Sequence, residues 1–335
     1  MRHQIINVGL IGLGRIGKMH AKNICEKLPL LNLKSIADPK PDLEFIQNLG
    51  KITIHENAQE IISNKHIDAV IISSPTPTHF NLIKKCLRNN KHVFCEKPIS
   101  FSENEINEII DLMVIQESFV QVGLNRRFDE EFILLKEKIK EGLIGKTQII
   151  HITNHDSTIP RFKFLKSSGG MLFDLCIHDF DMLTFITGKK IKEIYVNGSV
   201  FIEPRLKDIN DIDNAIITLE LTNGVLCTID SSRQTHFGYD QRIEVFGSKG
   251  MISVDNKPNQ LFLLSDESRT IKSKIKKSFA ERYESSYVHE LEHFYKCVIS
   301  NKSPIVGPKN ILDAIHIATA GTKSLELNRP VMVER

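Results

Sequence analysis

The stretch VGLIGLGRIG, residues 8–17, decides how the first third of this chain folds. The β-rich run Ile5–Ile11, unbroken in its apolar character from Val8 on, has the texture of a strand covered on both faces. It passes directly into Gly12-Leu13-Gly14-Arg15-Ile16-Gly17, and a helical pattern follows over Ile16–Leu28. A G-x-G-x-x-G string is weak when it stands alone. Between a strand and a helix it is specific, and here the next β-rich run, Leu33–Ala37, ends in Asp38, 21 residues after Gly17. That is the full context of a dinucleotide-binding turn. Gly12 permits the tight turn, Gly14 lets the backbone approach a pyrophosphate at the positive helix end, and Gly17 lets helix and strand pack closely. Asp38 suits a ribose 2′-hydroxyl and would repel a 2′-phosphate, so NAD is expected over NADP, although Lys40 blunts the preference. Arg15 reads as a phosphate or adenine contact, or as a solvent-facing residue of the first turn. With Ile16 it completes the expected cofactor contacts of this loop.

Outward from this turn the rhythm continues. Further β-rich runs are Ala69–Ser73 and His92–Cys95, and helical patterns cover Pro41–Leu49, Pro77–Asn89 and Glu103–Ser118. Strand alternating with helix implies parallel strands and crossover helices, a doubly wound α/β sheet. Ligands bind beyond the carboxyl ends of such strands. The loop Ser73-Ser74-Pro75-Thr76-Pro77-Thr78-His79 is therefore expected to border the cofactor through Ser74, Thr76 and His79. It also suits the start of the following helix, and the two roles are compatible.

After about residue 145 the texture changes. A single helix is expected over Met171–Ile186. Alternating strands follow: Ala215–Leu221 and Val225–Asp230 flank Thr222-Asn223-Gly224, and Arg242–Phe246 and Met251–Val254 flank Gly247–Gly250. Consecutive hairpins make an antiparallel sheet. Two helical stretches, Tyr283–Ser300 and Lys309–Leu327, close the chain. The expected organisation is a Rossmann domain over residues 1–122 and an α+β domain over residues 123–335, with a large, mainly antiparallel open sheet. The last helix is expected to pack back on the first domain.

Bulk properties narrow the function. The chain has 335 residues, enough for two domains, with 41% hydrophobic and 25% charged residues. Its net charge is +3, with 44 Lys and Arg against 41 Asp and Glu, so it lacks the clustered basic excess of a nucleic-acid binder. The one basic run, Lys272–Lys277, reads as a solvated loop. No apolar run reaches the ~20 residues of a membrane span. The start MRHQIINVGLIGLG lacks a cleavable signal pattern. The six cysteines are scattered without a C-x-x-C pair, which points to reduced thiols and a cytoplasmic protein.

Two stretches carry candidate chemistry. The fifth strand of the sheet ends in Cys95-Glu96-Lys97-Pro98, so Glu96 and Lys97 are expected at the nicotinamide end, and the X-Pro bond is a candidate for cis. Residues 169–183 read GGMLFDLCIHDFDML. On one continuous helix Asp174, His178 and Asp181 would share a face. That face reads as a proton relay, a metal site, or a buried histidine satisfied by a carboxylate. Moving hydride from a carbinol carbon to nicotinamide requires loss of the hydroxyl proton, and a neutral His178 suits that task. A cationic Lys97 would stabilise alkoxide charge, and Asp174 would bind substrate or orient the imidazole. A catalytic metal wants about three protein ligands. His155 and Asp156 extend the set, but the nicotinamide makes a metal unnecessary, and none is expected. Asp181 reads as a helix-face salt bridge.

The stretches GLGRIGKMHAKNI, FCEKP, VQVGLNRRFD, SGGMLFDLCIHDFDML, FGYDQRIEVFGSKGMI and ERYESSYVHEL, in this order and spacing, resemble the Gfo/Idh/MocA oxidoreductases over nearly the whole chain. The last three are most similar to the inositol dehydrogenase branch. The resemblance implies that Lys97, Asp174 and His178 act together at a reacting hydroxyl. It also implies that Arg127 and Tyr239 contact substrate, and that the protein is a homotetramer joined through the outer faces of the second-domain sheets. Many inositol-type relatives carry Arg-Asp-Pro where this chain has Asn154-His155-Asp156. His155 and Asp156 join Arg127, Asp174 and Tyr239 as polar groups suited to a cyclic polyol, and they suit a pyranose or amino sugar as well. The expected activity is NAD-dependent oxidation of a secondary hydroxyl of a cyclic polyol, with a non-catalytic NAD-binding sensor as the reading of another class.

Overall fold

The computed structural model describes residues 4–334. The chain forms two compact units. One comprises the N-terminal part to Phe128 together with Ser285–Leu312; the other comprises Asp129–Glu284 and the chain from Asp313 onward.

In the first unit the elements follow as β1 (Ile6–Ile11), α1 (Arg15–Lys27), β2 (Leu31–Ala37), α2 (Leu43–Gln47), β3 (Thr53–His55), α3 (Ala58–Ser63), β4 (Ala69–Ile72), α4 (His79–Arg88), β5 (His92–Glu96), α5 (Glu103–Gln116) and β6 (Val120–Gly123). All pairs are parallel and the strand order is β3-β2-β1-β4-β5-β6. The chain builds outward from β1 to β3, then returns to add β4 on the other side of β1. The carboxyl ends of β1 and β4 thus flank the topological switch point of a doubly wound sheet. The unbroken apolar texture has its expected cause: every residue of β4 is buried. β3 and α3 were not expected from sequence. β3 has three residues, two of them exposed, so it carries no apolar signal. α4 starts at His79 rather than Pro77, because Thr76–Thr78 forms a 3₁₀ turn containing the proline. The chain returns to this unit with the helix Glu284–Ser300, which inserts Leu291, Phe294 and Cys297 among Val8, Leu10, Phe94 and Phe119.

The second unit begins with α6 (Glu130–Lys140), β7 (Thr147–His155), α7 (Phe162–Leu165), α8 (Met171–Asp174), α9 (Ile177–Thr187), β8 (Ile191–Ser199), β9 (Asn214–Leu221), β10 (Leu226–Ser232), β11 (Asp240–Gly247) and β12 (Gly250–Val254). Its later elements are β13 (Leu263–Ser265), β14 (Thr270–Lys272) and α10 (Phe279–Arg282). The helix Glu284–Ser300 is α11. α12 (Pro308–Leu327) and β15 (Val331–Met332) end the chain. Seven strands form one sheet in the order β12-β11-β7-β10-β9-β8-β15; only β7 and β10 pair in parallel. Both predicted hairpins are present, and Gly224 supplies the positive φ, +85°, that the Asn-Gly turn requires. One face is covered: Ile150, Ile152, Ile217, Ile229, Ile243 and Val245 are buried. The other face exposes Ile149, Leu226, Phe246 and Met251, which are neighbours in the strand register.

The single helix expected over Met171–Ile186 is a correction. α8 ends at Asp174 and α9 starts at Ile177, with Leu175 and Cys176 between them. Both linking residues keep right-handed backbone, but the Cys176 N–H reaches back five residues to Met171 O. That extra residue in the turn displaces Asp174 from the regular i, i+4 relation to His178. The cause lies in burial: eight of the eleven residues of α9 are buried, and the packing of two apolar segments overrides a continuous helix.

Candidate active site

The glycine turn between β1 and α1 is held by backbone bonds to both neighbours. The Gly12 N–H donates to Ala37 O at 2.8 Å, and the Ser73 N–H donates to Ile11 O at 2.9 Å. Gly12 has φ +93°, and a Cβ there would lie 2.5 Å from Ser74 N. A Cβ on Gly17 would collide with Gly12 O. These two glycines are therefore required by the protein's own packing. Gly14 differs: its φ is −68° and a Cβ would meet no protein atom within 4 Å. The chain itself sets no steric demand for glycine there. The open side of Gly14, at the N-terminus of a 13-residue helix, is the side from which a pyrophosphate approaches. The residues present fit a dinucleotide on this ground.

Asp38 lies just past β2, and its carboxylate accepts from Leu13 N–H at 2.6 Å and from Lys40 N–H at 2.8 Å. It thereby ties the glycine turn to the end of β2 and stands where a ribose would be read. Arg15 is exposed at the first position of α1, and Ile16 follows it half-buried. Beyond β4, Ser74 Oγ pairs with Thr78 Oγ at 2.6 Å and Thr76 is half-buried. His79 is 1% exposed, with Nε2 2.6 Å from Ser74 O and Nδ1 2.8 Å from Pro98 O. Burial pushes its pKa down against the two carbonyls, which favour the charged ring. His79 therefore sits beneath the cofactor loop as a tie between the turns after β4 and β5.

At the end of β5, Glu96 Oε1 lies 2.7 Å from His20 Nε2, and Gly123 packs against the carboxyl group. Lys97 follows at once, half-buried, and the Lys97–Pro98 bond is cis. Arg127 lies in a 3₁₀ turn over Asn125–Phe128 and is buried.

In the second unit the chain enters α8 through Gly169 and Gly170, with φ +82° and +86°. A Cβ on Gly170 would lie 3.0 Å from Asp211 Oδ1, which accepts the Met171 N–H at 2.8 Å. The second glycine is thus set by a capping aspartate as well as by backbone conformation. Arg233, just past β10, is 1% exposed; its Nη1 lies 3.1 Å from Asp174 Oδ2 and its Nη2 3.6 Å from Asp211 Oδ2. Asp174 keeps 17% side-chain exposure, so Arg233 holds it from the buried side. His178 is half-buried in the first turn of α9.

Neighbouring residues of the same stretch face inward. Asp181 is 2% exposed, so it belongs to the buried side of α9. Asp179 is fully buried and accepts from Asn154 Nδ2 on β7 and Gln241 Nε2 on β11. Strand alternation separates Asn154 from its neighbour: His155 points to the opposite face, 3.1 Å from Asp230 and 3.7 Å from Asp240. The structure therefore does not group His155 with Asp174 and His178. Asp156 follows, its N–H bonded to Ser232 O. Tyr239 is 3% exposed and stacks edge-on against Tyr283 at 6.0 Å.

Arg233, Asp211 and Asp179 were missed in the sequence. Arg233 had one available signal, its place just after a predicted strand that ends in polar residues. Asp211 lies in a loop and Asp179 in an apolar helix, and neither has a local pattern.

Residues 6–124 match the model for the oxidoreductase family with NAD-binding Rossmann fold, and residues 132–253 match the GFO/IDH/MocA C-terminal domain. The chain is similar to myo-inositol 2-dehydrogenase from Thermotoga maritima, 38% identical over 98% of this chain and 99% of that one. It is similar to inositol 2-dehydrogenase from Rhizobium meliloti, 32% identical over 98% and 99%. Among solved structures it resembles scyllo-inositol dehydrogenase from Lactobacillus casei with bound NAD(H) and scyllo-inositol. That match has a TM-score of 0.91 and 27% identity, covering 98% of this chain and 99% of that one.

Proposed function

This chain belongs to the Gfo/Idh/MocA oxidoreductase family, and from that premise we propose that it oxidises one secondary hydroxyl of inositol to the ketone with NAD. The observation that carries the reading is Asp174, gripped from behind by buried Arg233 and partly open to solvent, beside the start of the helix that bears His178. The full-length likeness to inositol 2-dehydrogenases supports the substrate class.

Bound NAD supplies the hydride acceptor, and the chain supplies the rest. The glycine turn and Asp38 hold the dinucleotide, and the Asp38 carboxylate disfavours a 2′-phosphate, so NAD is preferred over NADP. His178 accepts the proton of the reacting hydroxyl. Lys97 offers positive charge to the oxygen as that proton leaves. Asp174, fixed by Arg233, accepts a substrate hydroxyl or orients the imidazole. Arg127, Asp156 and Tyr239 are further substrate contacts in this reading; His155, turned to the opposite sheet face beside Asp230 and Asp240, is not. The exposed apolar row Ile149, Leu226, Phe246 and Met251 is the face through which four copies join. Six free thiols, five of them buried, suit the cytoplasm.

The test is NADH formation across inositol isomers and common aldoses, repeated with NADP. Turnover on inositol that Lys97→Ala and His178→Asn both abolish, with NAD binding retained, supports the proposal. Turnover on an aldose alone moves the substrate to a pyranose. NAD binding without turnover on any of them removes the enzyme reading.

A further inference from the structure

Beneath the end of β5 lies a cluster that the proposed chemistry does not use. His20 of α1, Glu96 of β5 and Glu290 of α11 each offer an atom within 4.8 Å of the other two. His20 and Glu290 are fully buried. His20 Nε2 meets Glu96 at 2.7 Å, and its ring stands edge-on to Phe94 and Tyr287 at 5.2 and 6.0 Å. Neither carboxyl oxygen of Glu290 has a hydrogen-bond partner, although its backbone carbonyl accepts from Gln121 Nε2 at 2.7 Å. An ionised carboxylate so placed would be dry, without a donor, and next to the Glu96 carboxylate. A protonated one is neutral and has an O–H to give.

We propose that Glu290 is a buried neutral acid which, with His20, forms a proton-sharing brace behind Glu96 and so positions Lys97, the next residue in the chain. Burial first, and the Glu96 carboxylate second, push the Glu290 carboxyl well above its usual range. Glu96 then has two polar neighbours. His20 binds one oxygen, and a neutral Glu290 carboxyl within 4.8 Å spares it the repulsion of a second anion. Gly123 closes the third side, since a Cβ there would lie 3.1 Å from the Glu96 carboxyl carbon. Glu96, the residue before Lys97, thus has its polar contacts beside an otherwise apolar core. Glu290 acts through Glu96 and is a positioning residue, and its effect on turnover rests on the role proposed for Lys97.

Two measurements test this separately. Infrared spectra of the purified protein at neutral pH, wild type against Glu290→Gln, read the protonation state without any turnover. A protonated carboxyl band that the substitution removes is expected. Its absence, or stoichiometric divalent metal that Glu290→Gln releases, overturns the proposal, because either makes Glu290 an anion. Steady-state kinetics on the active polyol read the positioning. Glu290→Leu, which cannot hydrogen-bond, lowers kcat by at least about tenfold with NAD affinity retained, and Glu290→Gln restores most of that loss. Equal kcat in wild type and a folded Glu290→Leu, or no rescue by glutamine, overturns the brace. If leucine prevents folding, the glutamine variant and the infrared band still decide. If no polyol is turned over, the proposed function fails while the infrared result stands by itself.

Discussion

Arg233 Nη1 stands 3.1 Å from Asp174 Oδ2, with the guanidinium 1% exposed and the carboxylate open on its other side. A fully buried cation thus aims a partly exposed anion. Arg233 also faces Asp211, whose other oxygen caps α8, so one arginine sets both the start of the helix and its last residue. Lysine keeps the charge but loses the planar fork that reaches two carboxylates. Arg233→Lys is expected to lower kcat about 10- to 100-fold while leaving NAD affinity within about twofold. NADH absorbance and NAD-binding titrations separate the two effects. Unchanged kcat would show that Asp174 needs no such support.

The glycines of the dinucleotide turn divide into two kinds. Gly12→Ala meets Ser74 backbone and a positive φ, so it is expected to destabilise the fold by about 2 kcal/mol or more. Gly14→Ala has ordinary φ and open space, so its melting temperature should stay near that of wild type. It should nonetheless bind NAD at least about tenfold more weakly, because the methyl occupies the side a pyrophosphate approaches. Thermal melts with and without NAD read both. A Gly14→Ala protein with wild-type NAD affinity would place the phosphates elsewhere.

Asp38 has two roles that one substitution separates. Its carboxylate ties Leu13 and Lys40 N–H groups, and in the proposal it selects NAD. Asp38→Asn keeps an acceptor for the loop but removes the charge. The ratio of kcat/KM for NAD to that for NADP is expected to fall at least about tenfold, with little change in stability. A ratio that does not move would assign Asp38 to the loop alone.

Asp213 links folding to pH. Burial raises its carboxyl pKa, but the N–H groups of Phe201, Glu203 and Ile202 and the Asn214 side chain outweigh burial and hold it below its ordinary value. A lowered folded-state pKa means stability that is complete above the unfolded value, ~3.9, and lost as pH falls through the folded value. Asp213→Ala is expected to cost about 2–4 kcal/mol at neutral pH. The gap to wild type should narrow in acid, which urea titrations at a series of pH values would show. A gap independent of pH would mean that packing, not charge, is lost.

Much of the first unit was legible because its signals are local. Gly12, Gly17 and Asp38 lie in one strand-turn-helix-strand run, and their roles follow from backbone geometry over 27 residues. The edge strand β3 was not legible: three residues, two of them exposed, pair with β2 only because the sheet is already there. The helix Met171–Ile186 was misread for a related reason. Apolar periodicity continues through Leu175 and Cys176, while the turn between α8 and α9 is imposed by what both segments pack against.

The sequence alone determined the doubly wound unit, the glycine turn with Asp38 after the second strand, and the two hairpins. Those features rest on strand alternation, apolar runs and turn chemistry, all of which operate between near neighbours. Only the tertiary structure decided what supports them. It brought Arg233 across 59 positions to Asp174, and Glu290 to His20 and Glu96 from the far end of the chain. It turned Asp179 and Asp181 inward and His155 to the opposite sheet face. The reason is physical: a buried charge is tolerable only where distant residues supply its partner or its proton, and no local pattern records which residues those are.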